Sequence, residues 1–183
     1  CPVCDYTLRE NSKGEKAFEE TVSLWDDATI PLHPGSRPWD DEGVPSQRTP
    51  LIENGIVASF LYDLQTAGMA KTRSTGNASR AMGGMPAPMA TSLVISTGKT
   101  SLEEMLQGMD EGLLIEQLMG AEQGNILGGD FSGNVLLGFR VERGKIVGRV
   151  KDTMVSGNVY DLLRSGVVLG KESRWVYGHL LTP

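Results

Sequence analysis

The dipeptide Asn54-Gly55 constrains the fold of this chain more than any other feature. It separates residues 47–53 from residues 56–62, two runs rich in apolar and β-branched side chains. Asn-Gly readily adopts the positive φ angles of a type I′ turn, so the segment predicts a β-hairpin. The 23 glycines and 9 prolines among 183 residues also favour a β-rich fold with many turns over a helical bundle.

Further segments carry strand, helix or loop patterns. Alternation and apolar content predict strands within residues 17–24, 91–96, 112–119, 134–141, 145–150 and 175–181, although the composition of residues 112–119 also suits a helix. Short helices are predicted at residues 63–70, 102–109 and 155–164, the second beginning with a capping box from Ser101 to Glu104. Loops or bends are predicted at residues 31–45, 71–88, 124–133 and 166–170. The sum is an α+β fold dominated by β structure, with mostly antiparallel sheets and two or three short helices.

Length and charge limit the function classes. We expect an N-terminal appendage or truncation junction at residues 1–16, followed by one domain over residues 17–183. The net charge of −6 argues against nucleic-acid partners, and the lack of an 18-residue apolar run argues against membrane insertion. With only two cysteines, Cys1 and Cys4, a disulfide framework is excluded and a cytoplasmic location is expected.

The charged and thiol motifs have ordinary interpretations. Cys1 and Cys4 form a CxxC spacing without a second ligand pair, so we interpret them as an accidental terminal pair. The acidic runs Asp26-Asp27 and Asp40-Asp41-Glu42 could bind a hard cation or perform acid–base chemistry, but solvated loop charge is the better interpretation. His33, alone between Leu32 and Pro34, is interpreted as structural.

Two loops are candidates for a substrate-facing surface. The first contains Thr75, Gly76, Asn77 and Arg80, where Arg80 could bind a carboxylate or a peptide carbonyl, or could equally be a solvated loop residue. The second contains the following three residues of a glycine-rich segment: Gly128, Gly129 and Asp130. It lacks a phosphate-binding motif, so backbone bending is an alternative there. Exposed strand edges could also accept an extended peptide as an added strand.

A set of ordered landmarks resembles the C-terminal domain of the TldD/PmbA proteins, which are also described as modulators of DNA gyrase. The resemblance covers roughly residues 12–183. Its landmarks are Asp26-Asp27, residues 40–45, residues 51–56, Thr75-Gly76-Asn77 with Arg80, Gly98, residues 102–109, residues 155–157 and residues 166–171.

The resemblance implies a metallopeptidase system. The catalytic member of the family carries an HExxxH helix upstream of this domain, and its third zinc ligand is a cysteine in a GGVCGK-like segment. Leu169 stands at that cysteine position here, and an apolar side chain cannot bind zinc. The chain is therefore most similar to the non-catalytic PmbA/TldE branch, with no catalytic or metal-binding residue and no cofactor of its own.

In that branch the resemblance implies a TldD-like catalytic partner that holds zinc, or alternatively a homodimer. The expected role is subunit assembly and capture of peptide or unfolded substrates. Two alternatives stay open. The chain could be half of a zinc peptidase whose HExxxH helix lies upstream, or a regulatory protein that binds DNA gyrase directly.

Overall fold

The computed structural model describes residues 13–121, 124–125, 128–176 and 179–181. In that part of the chain the helices are α1 Leu64–Met69, α2 Leu102–Gln107 and α3 Val159–Arg164. The strands are β1 Leu24–Asp27, β2 Arg48–Glu53, β3 Ile56–Val57, β4 Ala78–Ser79, β5 Ala87–Pro88, β6 Leu93–Ile95, β7 Glu111–Met119, β8 Asp130–Glu142, β9 Lys145–Arg149, β10 Met154–Asn158, β11 Arg174–Val176 and β12 His179–Leu181. With 36% strand and 12% helix, the predicted β-dominated α+β class is confirmed.

A six-stranded sheet with the order β11-β12-β6-β1-β2-β3 forms the larger layer. Its neighbours pair antiparallel except for β12 and β6, which run parallel. One face of this sheet meets a core of Phe18, Val22, Ile52 and Tyr160. Because Tyr160 belongs to α3, the core fixes this helix against the sheet.

The Asn54-Gly55 turn is confirmed by positive φ angles of 51° and 76°. Its second strand, β3, ends at Val57, so the prediction of a strand to residue 62 is wrong. Phe60 and Leu61 are both buried although they are consecutive. A strand sends neighbouring side chains to opposite faces, so it cannot bury both against one core.

A second sheet is built on the long strand β8. Strands β7 and β10 flank β8, and β9 pairs with its C-terminal part. The β8–β9 hairpin turns at Arg143-Gly144, where φ is 48° and 75°, as the sequence predicts. Strand β8 begins at Asp130, so the predicted bend over residues 124–133 is wrong for its last four positions. Those positions pair with β10, which also replaces the predicted start of the third helix.

Two other strand predictions have the wrong boundaries. The strand expected within residues 17–24 begins only at Leu24, because Val22 and Ser23 are both buried and so do not alternate. The strand expected over residues 175–181 is two strands, β11 and β12, which pair with each other. The loop expected over residues 71–88 also contains the short strands β4 and β5.

Local capping explains where the helices begin. The capping box at Ser101 and Glu104 is present, as the sequence predicts, and an equivalent box at Asp63 and Thr66 begins α1. Asn158 caps α3. None of the described helices is both long and apolar enough to cross a membrane. The backbone N–H groups of Gly14 and Ala17 donate to carbonyls of the β2–β3 hairpin, on either side of residue 16. The domain boundary at residue 16 stays a prediction.

Candidate functional site

The carboxylate of Asp26 organises a buried polar network below β1. Asp26 is 0% exposed and points to the core side of the sheet. Its Oδ1 accepts from the backbone N–H groups of Thr91 at 2.7 Å and Ser92 at 3.0 Å. Its Oδ2 accepts from the Thr91 hydroxyl and from Nδ2 of Asn77. Four donors saturate this carboxylate, so it serves structure and leaves no lone pair directed at a substrate.

The carboxylate of Asp40 organises a neighbouring turn. Oδ1 accepts from the backbone N–H groups of Glu42 and Val44, and Oδ2 accepts from that of Ala78 at 2.9 Å. Asp40 is 4% exposed. The expectation of solvated loop charge is therefore wrong for Asp26 and Asp40. The Asp-Asp-Glu-Gly order at residues 40–43 is typical of a turn closed by its own aspartate, a signal that could have revealed this role.

These two networks hold the first predicted loop in place. Thr75, Gly76 and Asn77 are buried, and Arg80 is exposed. The Thr75 hydroxyl accepts from the N–H of Tyr62, and a Cβ on Gly76 would lie 2.5 Å from the carbonyl oxygen of Pro45. The backbone N–H of Arg80 donates to Asp41 at 2.7 Å. Three of the four residues thus form a rigid frame, and the guanidinium of Arg80 is presented to solvent.

The second predicted loop belongs to a different network. The side chain of Asn158 donates to the carbonyl of Gly128 at 2.7 Å and to Asp130 at 2.8 Å. Gly129 has a φ of +84°, and a Cβ there would lie 2.3 Å from the ring of Tyr160. Among the described residues, no hydrogen bond or ion pair joins these three to the first loop. Substrate binding by the residues of either loop stays a prediction.

An open groove of about 370 Å³ lies beside the Asp40 turn. It is lined by Ala28, Thr29, Ile30, Pro31, Ser36, Arg37, Pro38 and Ser46. Nη2 of Arg37 donates to the carbonyl of Ala78 at 3.0 Å, so one wall is tied to β4 and to the frame of the first loop. The lining is largely apolar with one guanidinium, which suits contact with a chain segment.

The segment around Leu169 lies against Gly98. Leu169 is 7% exposed, and a Cβ on Gly98 would lie 1.7 Å from its carbonyl oxygen. The N–H of Gly98 donates to Gly170, and the N–H of Lys171 donates to Thr100, both at 2.8 Å. Within the described part of the chain, no three His, Cys, Asp or Glu side chains are grouped to hold a metal ion. The Leu169 side chain itself offers no lone pair to a zinc ion, so it does not fit the role of a metal ligand.

The remaining candidate residues are placed as follows. Nδ1 of His33 lies 3.0 Å from Oγ of Ser92, and its ring lies 3.8 Å from that of Trp175 between centroids. Asp27 is half-buried and accepts from the N–H and hydroxyl of Thr29, and Asp41 is exposed. Cys1 and Cys4 lie outside the described residues.

The chain is similar in sequence to a known domain family and to several curated proteins. Residues 5–183 match the family described as PmbA/TldA metallopeptidase C-terminal domain. An uncharacterised protein of Methanocaldococcus jannaschii is 31% identical over 98% of this chain and 41% of its own length. A metalloprotease TldD homologue of Buchnera aphidicola is 31% identical over 88% of this chain and 34% of its own length. The chain thus spans 34% to 41% of the length of these curated relatives.

Solved structures resemble the same region. TldE from Thermococcus kodakarensis superposes with a TM-score of 0.79 at 33% identity, over 96% of this chain and 40% of that one. A protein of Thermotoga maritima described as a modulator of DNA gyrase superposes with a TM-score of 0.84 at 33% identity, over 97% of this chain and 40% of that one.

Proposed function

Because this chain belongs to the PmbA/TldA metallopeptidase C-terminal domain family, we propose that it serves a peptidase complex without cutting peptides itself. Its role is to help assemble the complex and to capture peptide or unfolded substrates. The catalytic zinc belongs to a TldD-like partner subunit. A homodimer is the alternative assembly.

The observation that carries this proposal is the environment of Leu169. The family resemblance places a zinc-binding cysteine at this position, and the leucine there is buried with its carbonyl pressed against Gly98. Aliphatic packing is all that a leucine side chain can supply, because it has no lone pair for a metal. The tight backbone contact also fixes the segment, so another residue cannot easily turn toward the same point.

Support for peptide capture comes from the first loop and the neighbouring groove. The Asp26 and Asp40 networks hold residues 75–80 in one conformation, which reduces the ordering cost of binding a flexible peptide. Arg80 is exposed at the end of this frame, and a guanidinium donates well to carboxylates and carbonyls. The groove of about 370 Å³ is joined to the frame through Arg37.

One alternative has a specific observation in its favour. Several relatives carry the name metalloprotease, among them proteins of Buchnera aphidicola and Methanothermobacter thermautotrophicus. Such a name favours a zinc peptidase subunit whose HExxxH helix lies outside this chain. Leu169 counts against that alternative, since it removes one of the three ligands the resemblance implies.

A reconstitution experiment tests the proposal. The intact protein and a TldD-like subunit of the same organism are purified separately and mixed. Hydrolysis of an unfolded casein substrate is then followed for each subunit and for the mixture. We expect a stable complex that hydrolyses casein, and no hydrolysis by the intact protein alone. Hydrolysis by that protein alone, abolished by a zinc chelator, would favour the alternative.

The name of the Thermotoga maritima protein favours a gyrase partner instead. A pull-down of purified DNA gyrase with the intact protein separates this possibility from the peptidase role. We expect no gyrase to be retained under conditions that retain the TldD-like subunit.

A further inference from the structure

A short hairpin follows the first loop. Its strands β4 and β5 pair antiparallel over two residues each, and in the described part of the chain they join neither of the larger sheets. Residues 80–86 connect the two strands. We call residues 78–89 the methionine arm, because three of the eight methionines of the chain lie in this segment.

The base of the methionine arm is fixed by the buried networks. The carbonyl of Asn77 accepts from the N–H of Met89 at 2.9 Å, and Nδ2 of Asn77 donates to Asp26. The N–H of Ala78 donates to the Asp40 carboxylate at 2.9 Å. An isolated two-stranded hairpin is only marginally stable in water, so these bonds to the networks position the arm.

The arm ends in a four-residue turn. The N–H of Gly84 donates to the carbonyl of Ala81 at 2.9 Å, and Gly83 has a φ of 75°. A type II turn requires a positive φ at its third residue, which explains the glycine at this position. Met82 lies within the turn and Met85 directly follows it, so two methionine side chains lie at the tip of the arm.

All three methionines of the arm are exposed. The side chain of Met82 is fully exposed, that of Met85 is 78% exposed and that of Met89 is 57% exposed. Methionine is unbranched and polarizable, so it adapts to apolar groups of different shapes. Methionine-rich surfaces occur on proteins that bind many different partners. The arm therefore presents an adaptable apolar surface to solvent.

The charged side chains in and around the arm are positive. Residues 64–102 contain no Asp or Glu, although the chain has a net charge of −6. The cations of this segment are Lys71, Arg73, Arg80 and Lys99. Arg80 is exposed, and its guanidinium forms no ion pair within the described part of the chain. The nearby carboxylate of Asp41 accepts from the backbone of Arg80 and lies 3.9 Å from Nη1 of Arg37. A free guanidinium beside the methionines favours a ligand that carries a carboxylate.

We propose that the methionine arm is the contact surface for unfolded substrates and that it binds apolar segments that also carry a carboxylate. This inference rests on the proposed peptide capture and names its substrate class. The methionines contact apolar side chains of the segment, and the guanidinium of Arg80 donates to its carboxylate.

The size of the arm favours a transient ligand over a subunit interface. A stable interface uses about 20–30 residues on each side, whereas the arm consists of two short strands and one loop. Unfolded polypeptides differ in sequence, and an adaptable methionine surface accommodates such differences. A weak contact that many apolar segments can make is therefore the contact that this surface supports best.

The test measures fluorescence anisotropy with the intact protein and three fluorescein-labelled peptides built on glycine and serine. The first peptide carries leucines and glutamates, the second carries leucines and glutamines, and the third carries alanines and glutamates. We expect the first peptide to bind most tightly and the second to bind about three- to fivefold more weakly, as the loss of an exposed ion pair implies. The third peptide should not bind detectably, because it has no large apolar side chain.

Variants of exposed side chains make the test specific, and an unchanged melting temperature confirms that each variant folds. Met82→Gln combined with Met85→Gln should weaken binding of both leucine peptides about tenfold, since glutamine keeps the length of methionine and removes its apolar character. Arg80→Gln should remove the difference between the two leucine peptides. Met154→Gln replaces a methionine of β10 that is 67% exposed in the other sheet, and this matched control should bind as wild type does.

Undiminished binding by the Met82→Gln/Met85→Gln protein would overturn the arm as the contact surface and leave peptide capture in place. Equal binding of the two leucine peptides by wild type would overturn the carboxylate preference. If no peptide binds while unfolded casein still does, this inference alone fails, and if casein does not bind either, both proposals fail.

Sedimentation velocity tests the other possible occupants of the arm. We expect the Met82→Gln/Met85→Gln protein to keep the oligomeric state of wild type and to form the same complex with a TldD-like subunit. Loss of a homodimer or of that complex in the double variant would show that the arm is a subunit interface and would contradict the inference.

Discussion

At the scale of single residues, buried carboxylates support the loops from which binding groups project. Asp26 accepts four hydrogen bonds and joins β1 to residues 77, 91 and 92. Asp40 joins its own turn to the start of β4. Neither carboxylate has an ion-pair partner among the described residues, so each is stabilised by dipoles of backbone and side-chain donors. Burying such a carboxylate costs free energy, and removing it leaves its hydrogen-bond donors buried without an acceptor.

Replacement of Asp26 by alanine tests this support. The change leaves the N–H groups of Thr91 and Ser92 without an acceptor in the interior, and the side-chain amide of Asn77 keeps only the carbonyl of Met89 at 3.2 Å. We expect Asp26→Ala to reduce the free energy of unfolding by about 3–5 kcal/mol, measured by urea denaturation. Asp27→Ala, a change at a half-buried neighbour whose carboxylate accepts from Thr29, is the control and should cost about 1 kcal/mol. Equal losses for both variants would show that the network contributes little.

The sequence gives a clear signal for some residues and none for others. Asn54-Gly55 and the Ser101–Glu104 box depend on local chemistry, so their patterns predict the observed turn and cap. The burial of Asp26 depends on donors 51 to 66 positions away, and no local pattern reveals them. The same reason applies to the Arg48 guanidinium, whose Cζ lies 4.5 Å from the centroid of the Trp25 ring, because this contact requires the pairing of β1 with β2.

At the scale of elements, two close contacts fix the segment around Leu169 and the start of α2. Gly98 and Leu169 approach so closely that only a hydrogen fits between the glycine Cα and the leucine carbonyl. The bridge between Thr100 and Gly170 continues this contact up to the cap of α2. The segment that the resemblance associates with metal binding is thus held by backbone contacts.

Alanine at position 98 should disrupt this contact. A Cβ would lie 1.7 Å from the carbonyl oxygen of Leu169, so the backbone must move. We expect Gly98→Ala to lower the free energy of unfolding by about 2–4 kcal/mol in urea denaturation. The control Gly148→Ala places a Cβ in β9 with no atom within 4 Å and should change stability by less than about 0.5 kcal/mol. A Gly98→Ala protein as stable as Gly148→Ala would contradict the close approach.

The cap of α2 should make a pH-dependent contribution to stability. The backbone N–H of Ser101 donates to the Glu104 carboxylate, and so does the Ser101 hydroxyl. Both bonds lower the pKa of Glu104 from its ordinary value of 4.5, and the backbone bond has the larger effect. A carboxyl whose pKa is depressed on folding stabilises the fold above its unfolded pKa, and this contribution is lost as the pH falls through the folded pKa. Wild type should therefore melt at a higher temperature than Glu104→Ala at pH 7, and the difference should narrow below pH 4.5. A difference that stays constant from pH 7 to pH 3 would argue against this cap.

At the scale of the whole molecule, a six-stranded sheet, a four-stranded sheet and the short β4–β5 pair share the described part of the chain. One face of the six-stranded sheet meets the hydrophobic core. The four-stranded sheet is joined to it through the ion pair between Arg174 and Glu116 and through the packing of Tyr160. The β-rich class could be predicted from turn chemistry and alternation. The order of the strands could not, because β12 joins β6 across 85 intervening residues and no local pattern encodes that pairing.

The zinc content of the intact protein, purified without a partner subunit, tests the central claim most directly. If the buried Leu169 replaces a metal ligand, mass spectrometry of the native protein should find far less than one zinc per chain, even after incubation with equimolar zinc. One tightly bound zinc per chain, whose removal also abolishes hydrolysis of an unfolded peptide, would contradict the account.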